Sequence, residues 1–420
     1  MLKKLQTARI PTFITYLVLL TLLVNLLSII RSTVTSVVSA ASSTSKVSLD
    51  RSRIIAASDA ESYAEDLIKL EVELGVIPTW QGASAGTAVT HYDLSGTISA
   101  YVVPVLSSTH NFIGYVVVSA PIRNNPVLEF AAEGPPYLVG LDRAHRAAQQ
   151  IGGNLITERP LYLGPLGHFY EITLFTDESK RQIVNVDTGD VLPIHVDQVE
   201  PAVQQEVIHT EPAAAIATVP SLQNVKRLHD VPHYRQFQTT YGGWNCQSGC
   251  APTATASIMA YWSSKGYNRL LENGFEAMTT DLGQRMETYC GGGYGWTNIG
   301  RVAEAIHGFA SAKGYTFNST FLESWEATFN TYRSNIDEGN PPVVHLIYSN
   351  SNLNHSVAGM GYQVDVRGSF MIVRDNLRTE SERHVNYDAA QVYLNTVRPL
   401  ATIAVGQNSS RQQVFQIAYE

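Results

Sequence analysis

The stretch Trp244-Asn245-Cys246-Gln247-Ser248-Gly249-Cys250-Ala251-Pro252-Thr253-Ala254 joins an irregular, glycine-bearing loop to a helical run over 255–263. A cysteine at such a junction has its sulfur near unpaired backbone N–H groups and the positive end of the helix dipole, which favours the thiolate. Pro252 suits the first helical turn, because its fixed φ matches the helix and its missing N–H needs no partner there. We therefore expect a helix that starts at or just after Cys250, with a reactive thiol at its first turn.

The composition is that of a folded protein with more than one domain. A chain of 420 residues has room for two or three domains, and a hydrophobic content of 44% supports folding. The net charge is −8 and the Lys and Arg residues are scattered, so nucleic acid is not an expected partner. The three cysteines and the histidines show no zinc-finger spacing, and an odd cysteine count leaves at least one free thiol in a monomer.

The first 40 residues have the pattern of an export signal. A basic segment, an apolar run and a small-residue cleavage site follow one another: Lys3, Lys4 and Arg9, then 14–30, then Val38-Ser39-Ala40. The apolar run approaches the length that spans a bilayer, so retention of residues 12–30 as an anchor is the alternative to cleavage. We expect a secreted protein, or one anchored to the outer face of the membrane, with a polar spacer at 41–58.

Residues 59–200 have the pattern of an α+β domain with mostly antiparallel strands. Apolar residues recur at helical spacing over 59–74, and a second helix is predicted over 144–151. Short β-rich segments broken by Gly, Pro, Asn and Asp predict strands at 97–105, 112–119, 127–131, 169–175 and 182–192.

Asp187-Thr188-Gly189 matches the catalytic loop of aspartic proteases, but the chain contains only one copy. Those enzymes need two carboxylates that share a proton. The sequence therefore favours a simple turn between strands at 182–186 and 190–194.

A linker is expected at 201–229, where the sequence loses pattern and carries alanine, proline and the basic pair Lys226-Arg227. Such exposed segments are preferred sites of proteolytic processing. The composition changes after this segment, because all three cysteines and four of the five tryptophans follow it. A second domain is therefore expected at 230–420.

The second domain is also expected to be α+β, with helices first and an antiparallel sheet afterwards. Helices are predicted from Cys250 onwards and at 299–313 and 322–336. Strands are predicted at 342–348, 355–364, 369–374, 396–405 and 414–419.

His355 and Asp375 are the best partners for the Cys250 thiol. His355 begins an apolar strand, and Asp375 follows the end of the next strand, after a tight turn at 367–368. Strands joined by a tight turn run antiparallel, so Asp375 can reach His355. Thiol catalysis of acyl transfer needs a base and a group that fixes that base. We therefore predict His355 as the base and Asp375 as its orienting residue.

Other residues remain as alternatives for these roles. Asn376 is the alternative orienting residue, because an amide can also fix an imidazole. Two further histidines are weaker candidates for the base, one preceding the cysteine loop and one lying inside an apolar strand: His233 and His345.

The oxyanion of acyl transfer needs a side-chain donor besides the Cys250 backbone N–H. Gln236 and Gln238 both precede the cysteine in a loop able to fold over it, and local sequence favours Gln236. Cys246 lies a turn further from the helix than Cys250 and is the weaker nucleophile. It can pair with Cys290, pair with Cys250 or stay reduced, and only the first pairing leaves Cys250 as the free thiol of an exported chain.

The chain resembles the papain-like cysteine peptidases, and most of all the secreted relatives of the bacteriocin-processing, double-glycine-leader peptidases. The matching segments are 231–236, 249–254 with Met259 and Tyr261-Trp262, 355–362 and 373–375. By this resemblance Cys250 is the nucleophile, His355 the base, Asp375 the orienting residue and Gln236 the oxyanion donor.

The same cysteine segment is also similar to that of the streptopain-type peptidases. Their propeptide carries a segment like 112–119, but the tryptophan-glycine motif that follows the histidine in those enzymes is missing here. The resemblance thus implies a papain-like domain preceded by a propeptide-like α+β domain that acts as an intramolecular inhibitor or chaperone.

The expected function is that of an exported cysteine endopeptidase, made as a zymogen, with a protein or peptide substrate and no metal or organic cofactor. Two alternatives remain. One is another cysteine-dependent acyl transfer, such as a cell-wall peptide amidase or a transpeptidase. The other is a catalytically silent surface module that uses the fold to bind proteins.

Overall fold

The computed structural model describes residues 50–175, 181–193, 199, 201–209, 224–348, 353–377 and 382–400. Contacts group the residues of these ranges into one compact unit. Within the described ranges the fold is α+β, with seven α-helices and 22 strands. No helix in these ranges is long and apolar enough to cross a membrane. The predicted export signal lies outside the described residues.

The N-terminal half, residues 50–209, is a sheet flanked by helices. Its helices are α1 (Ala57–Glu73), α2 (Pro136–Val139) and α3 (Leu141–Gln150). Its strands are β1 (Arg53–Ile55), β2 (Ser84–Ala85), β3 (Val89–Tyr92), β4 (Ile98–Leu106), β5 (Phe112–Ser119), β6 (Val127–Ala131), β7 (Gly153–Tyr162), β8 (His168–Leu174), β9 (Arg181–Asn185), β10 (Val191–Pro193) and β11 (Glu206–Ile208). Ala60, Ala64 and Leu67 recur on one face of α1 and pack on β4 and β5, which explains the helical period of this segment.

The C-terminal half, residues 224–400, places its helices before most of its strands. The helices are α4 (Cys250–Ser264), α5 (Gly274–Arg285), α6 (Val302–Ala312) and α7 (Phe329–Asp337). The strands are β12 (Asn224–Arg227), β13 (Gln238–Tyr241), β14 (Trp244–Gln247), β15 (Tyr289–Gly291), β16 (Tyr294–Trp296), β17 (Phe317–Leu322), β18 (Val343–Ile347), β19 (Asn354–Asp365), β20 (Gly368–Arg374), β21 (Arg383–Asn386) and β22 (Gln391–Pro399). Helix α4 is buried from Ala251 to Ser263 and forms the centre of this half.

One sheet runs through both halves. Its main path is β10-β9-β8-β7-β3-β4-β5-β6-β21-β20-β19-β18-β22-β17. The halves join where β6 pairs antiparallel with β21, with Ala131 opposite Arg383. The segment predicted as a linker contributes a strand at each of its ends, because β11 pairs with β1 and β12 pairs with β19. The basic pair Lys226-Arg227 lies inside β12.

Most of the predicted elements are present, with three differences. The helix predicted over 322–336 is wrong in its first half: Leu322 is the last residue of strand β17, residues 323–328 form a turn, and the helix begins only at Phe329. Several elements were not predicted: strands β1, β2, β3, β7, β11, β12 and β21, helices α2 and α5, and the small sheet β13-β14-β16-β15. The strand predicted at 414–419 lies outside the described residues.

Candidate active site

Gly249 shapes the loop that presents Cys250 at the start of α4. Gly249 has φ of 84° and ψ of 152°, a backbone conformation that is essentially restricted to glycine. A Cβ there would lie 2.5 Å from the main-chain oxygen of Gly295 on β16. The loop is also tied to the preceding segment, because Ser248 N donates to the Phe237 oxygen over 2.8 Å. The cysteine is therefore the first residue of the helix, as predicted.

A disulfide joins Cys246 on β14 to Cys290 on β15 and leaves Cys250 as the free thiol. Among the pairings that the sequence left open, the structure has the one that spares Cys250. The bridge joins two strands of the small sheet, β14 and β15, and so secures the strand that leads into the Cys250 loop.

His355 lies against the Cys250 sulfur and is hydrogen-bonded to it. His355 lies on β19 and is 7% exposed, and its Nε2 donates to the main-chain oxygen of Asp375 over 2.8 Å. A carbonyl only accepts, so the proton of a neutral imidazole resides on Nε2 and leaves Nδ1 to accept from the thiol. This tautomer is the one that a base for Cys250 requires.

The electrostatics favour a thiolate–imidazolium pair. Burial by itself would raise the pKa of Cys250, but the hydrogen bond and charge of His355, with hydrogen bonds from Ser356, lower it below its ordinary value. Burial would lower the pKa of His355, but its contacts with Cys250 and with Asp375 raise it. The two shifts have opposite directions, which is what proton transfer from sulfur to imidazole needs.

Asp375 supports His355 differently from the expected mode. The atom of Asp375 that contacts the imidazole is its main-chain oxygen, whereas its carboxylate is hydrogen-bonded to other groups. Asp375 Oδ1 accepts from His233 Nε2 at 3.2 Å and from Leu377 N at 2.9 Å, and Oδ2 accepts from Arg383 Nε at 2.8 Å. Burial would raise the pKa of Asp375, but Arg383 and His233 hold it well below the ordinary range.

The backbone turn after Asp375 explains this arrangement. Asn376 has a φ of 61°, which reverses the chain just after β20, and Leu377 N closes the turn on the Asp375 side chain. The carboxylate thereby faces β21, where Arg383 lies. A sequence shows that Asp375 is near His355, but not which of its oxygens turns toward the imidazole.

The alternative residues take structural positions. Asn376 Nδ2 donates to the Ser356 oxygen at 3.3 Å, while its buried Oδ1 has no hydrogen-bond partner among the described residues. His345 is fully buried between Ser356 Oγ and Asn395 Oδ1, each at 2.8 Å. Burial lowers the pKa of His345 to about 4, so this histidine stays neutral.

Gln236 lies between the two segments that carry Cys250 and Asp375. Its backbone N–H donates to the Asn376 oxygen at 3.3 Å, and the next residue, Phe237, is bonded to Ser248. Gln238, by contrast, is exposed on β13 opposite Gln247. The backbone therefore brings Gln236 toward the predicted pair and carries Gln238 along the small sheet.

Turns from the N-terminal half reach the same place. The turn at 187–191, which joins β9 to β10, brings the Asp190 carboxylate to the Tyr294 hydroxyl, and Val191 N–H donates to that hydroxyl. Tyr294 lies opposite Gln247, three residues before the nucleophile. The β7–β8 turn packs on Tyr348, since a Cβ at Gly164 would lie 2.7 Å from that ring.

These contacts could not be predicted from the sequence. The Asp187-Thr188-Gly189 motif does form a turn between antiparallel strands, as expected. The sequence did not indicate that the next residue, Asp190, faces the site. Burial raises the pKa of its carboxyl group, and hydrogen bonds from Thr188 and Tyr294 and the charge of His355 oppose that rise. Within the described ranges, no cluster of three or more His, Cys, Asp or Glu residues could hold a metal ion.

Comparison with known families supports the class of chemistry. Residues 228–399 match the sequence model of the Peptidase_C39 like family, which supports a cysteine peptidase of the papain-like class in the C-terminal half. The match includes Cys250, His355 and Asp375 and leaves the N-terminal half outside. A search of curated proteins finds no match to this chain.

Proposed function

We propose that this protein is an exported cysteine endopeptidase that cleaves protein or peptide substrates. The observation that carries the proposal is the free thiol of Cys250, at a helix start, hydrogen-bonded to a histidine whose other ring nitrogen is held by a carbonyl. The lowered pKa of the thiol and the raised pKa of the imidazole support the same chemistry.

In the proposed reaction, the Cys250 thiolate attacks the peptide carbonyl and the His355 imidazolium gives its proton to the leaving amine. A thioester remains on Cys250, and a water activated by His355 then hydrolyses it. The Cys250 backbone N–H and the Gln236 side chain stabilise the oxyanion in both steps. Asp375 holds the imidazole through its main-chain oxygen and, with a carboxylate kept ionised by Arg383, favours the imidazolium.

We further propose that the intact chain is a zymogen. Residues from the 187–191 turn and the β7–β8 turn lie against Tyr294 and Tyr348 beside the site, and His355 is only 7% exposed. Such a covering supports an inhibitory role for the N-terminal half. Cleavage within the predicted linker, at a site before Asn224, would leave β12 on the peptidase half.

The test of the function uses protein secreted from the full-length gene, with the processing that accompanies its secretion. Cys250→Ala should abolish casein cleavage and irreversible thiol alkylation, because no other described cysteine has a free thiol. The matched control is the double variant Cys246→Ala with Cys290→Ala, which removes the disulfide but keeps the nucleophile and its alkylation. Undiminished cleavage by the Cys250→Ala protein would refute the assignment.

Two outcomes would redirect the proposal. Cleavage of cell-wall peptides but not of casein would point to a peptide amidase or transpeptidase that uses the same residues. Alkylation of Cys250 without cleavage of either substrate would point to a binding module.

Processing has its own measurement. N-terminal sequencing of active material should begin between residues 211 and 230. An uncut chain with full activity would contradict the zymogen proposal while leaving the peptidase assignment intact.

A further inference from the structure

A chain of buried contacts leads from His355 into the N-terminal half. His355 Nε2 donates to the Asp375 main-chain oxygen, and Asp375 Oδ2 accepts from Arg383 Nε, each over 2.8 Å. Arg383 is 1% exposed and lies on β21, the strand that pairs with β6 of the N-terminal half. The support of the histidine therefore reaches the junction between the two halves.

The remaining nitrogens of Arg383 bind the N-terminal half itself. Nη1 donates to the Tyr115 hydroxyl at 2.5 Å, and Nη2 forms an ion pair with Glu133. The Tyr115 hydroxyl donates in turn to Glu129 Oε1 at 2.9 Å, and Glu129 is bonded to His168 Nε2 at 2.8 Å. Tyr115 and Glu129 are fully buried, so these contacts are shielded from water.

The geometry makes Arg383 a rigid connector. A guanidinium presents its donors in a fixed plane, so its contacts with Tyr115 and Glu133 determine where its Nε points. The Nε position in turn fixes the Asp375 carboxylate, and with it the peptide whose oxygen holds His355. Electrostatics act in the same direction, because Glu133 offsets the charge of Arg383 near the His355 imidazolium.

We propose that Tyr115 and Glu133 of the N-terminal half are positioning residues for His355, acting through Arg383 and Asp375. The proposal rests on the assigned roles of Cys250 and His355 and extends the machinery of that site beyond the half that matches the peptidase family. The N-terminal half thus both covers the site and completes its support.

The experiment measures the rate of Cys250 alkylation by iodoacetamide against pH in the full-length chain. The midpoint of this profile reports the thiolate–imidazolium pair and needs no substrate cleavage. Tyr115→Phe removes only the hydroxyl, and Glu133→Gln removes only the charge. Each variant should raise the midpoint by about half a pH unit or more, which is about threefold less thiolate below the midpoint.

The matched control is Tyr170→Phe. Tyr170 is another buried tyrosine of the N-terminal half, 3% exposed, and its hydroxyl donates to the Tyr137 oxygen at 3.1 Å, away from Arg383. Loss of that bond should lower thermal stability about as much as Tyr115→Phe does, but should leave the midpoint unchanged. A purely structural role for Tyr115 would give the two variants the same profile.

The outcomes separate this proposal from the proposed function. An unchanged midpoint in both Tyr115→Phe and Glu133→Gln, or an equal shift in Tyr170→Phe, overturns the positioning role. A third outcome is that the wild-type midpoint is lowered and both variants raise it, but no peptide is cleaved. This outcome supports the positioning role and refutes the peptidase assignment. An ordinary thiol midpoint near 8.5 in the wild type refutes the thiolate–imidazolium pair and the positioning role with it.

Discussion

Gly249 controls the position of the Cys250 thiol, because its backbone conformation suits only glycine and its α-carbon faces the Gly295 oxygen. We predict that Gly249→Ala lowers the free energy of unfolding by about 3 kcal/mol or more, since backbone strain and steric overlap add. Chemical denaturation measures the loss. The same variant should also alkylate more slowly below pH 7, because the sulfur moves away from His355.

Gly242 provides the matched control for that change. It also has positive φ, 58°, but a Cβ there would meet nothing within 4 Å. Gly242→Ala should therefore cost only about 1 kcal/mol, the strain of a left-handed residue, and should not alter alkylation. Equal destabilisation by the two variants would contradict the role assigned to the Gly295 contact.

At the level of single residues, the sequence predicts what local chemistry dictates. Cys250 was predictable because a glycine-bearing loop before a helix is a local pattern, and His355 because a strand start and a hairpin place it. The sequence around Arg383 contains no such pattern. Its role depends on the pairing of β21 with β6, two strands that are far apart in the chain, and a local pattern cannot predict such a pairing. The use of the Asp375 main-chain oxygen depends on the left-handed turn at Asn376.

At the level of elements, the 187–191 turn carries a group that titrates near neutral pH. Burial raises the pKa of Asp190 from its ordinary 3.8 to about 6, against the lowering effects of Thr188, Tyr294, His355 and Arg143. Its Oδ1 is buried without a hydrogen-bond partner in the described part of the chain. Asp190 therefore binds a proton more tightly when the 187–191 turn is in place against Tyr294 (the seated turn) than when the turn has moved away from it (the released turn).

The sign of the pH dependence follows from that raised value. The seated turn is most stable below about pH 4 and loses between about 1 and 3 kcal/mol as the pH rises through 6. We predict that amide hydrogen exchange at 187–191, corrected for its intrinsic pH dependence, is faster at pH 7.5 than at pH 5. The measurement uses full-length Cys250→Ala protein, so that the chain does not cleave itself through that thiol, and its mass is checked before exchange.

Two substitutions test this assignment of Asp190. Asp190→Asn keeps the shape and removes the charge, so protection of the turn should no longer change with pH. Asp142→Asn, at an exposed carboxylate on α3, should behave like the parent protein. Protection that is the same at both pH values in the parent would show that Asp190 does not control the turn.

The failed helix prediction over 322–336 also belongs to this scale. Within that range only Leu322 pairs with β22, and residues 323–328 form a turn in which Glu326 N and Ala327 N both donate to the Glu323 oxygen. The true helix begins after Thr328, whose side chain accepts from Thr331 N and caps it. A turn before a short helix can carry apolar residues at helical spacing, so the period alone does not show where the helix begins.

At the level of the whole molecule, the two halves are joined by more than the covalent linker. Besides the β6–β21 pairing, Arg367 of the C-terminal half bonds Glu71 Oε1 of α1 at 2.6 Å, and Gln363 Nε2 bonds the same carboxylate at 2.7 Å. Phe370 packs edge-on against Phe130 with ring centroids 5.3 Å apart. These contacts lie far in the chain from residues 210–223, so a cut there leaves all of them intact.

We therefore predict that the two fragments stay associated after processing. Separation would break the sheet at β6 and β21 and would expose Phe130 and Phe370, and nothing in the cut itself offsets that cost. Size-exclusion chromatography of active material, with mass spectrometry of the eluted peak, should find both fragments together at neutral pH and apart only in denaturant. In that complex the 187–191 turn, next to the edge strand β10, and the β7–β8 turn on Tyr348 have to move to open the site. Active material that contains the C-terminal fragment alone would contradict this prediction and would show that the site keeps its geometry without Tyr115 and Glu133.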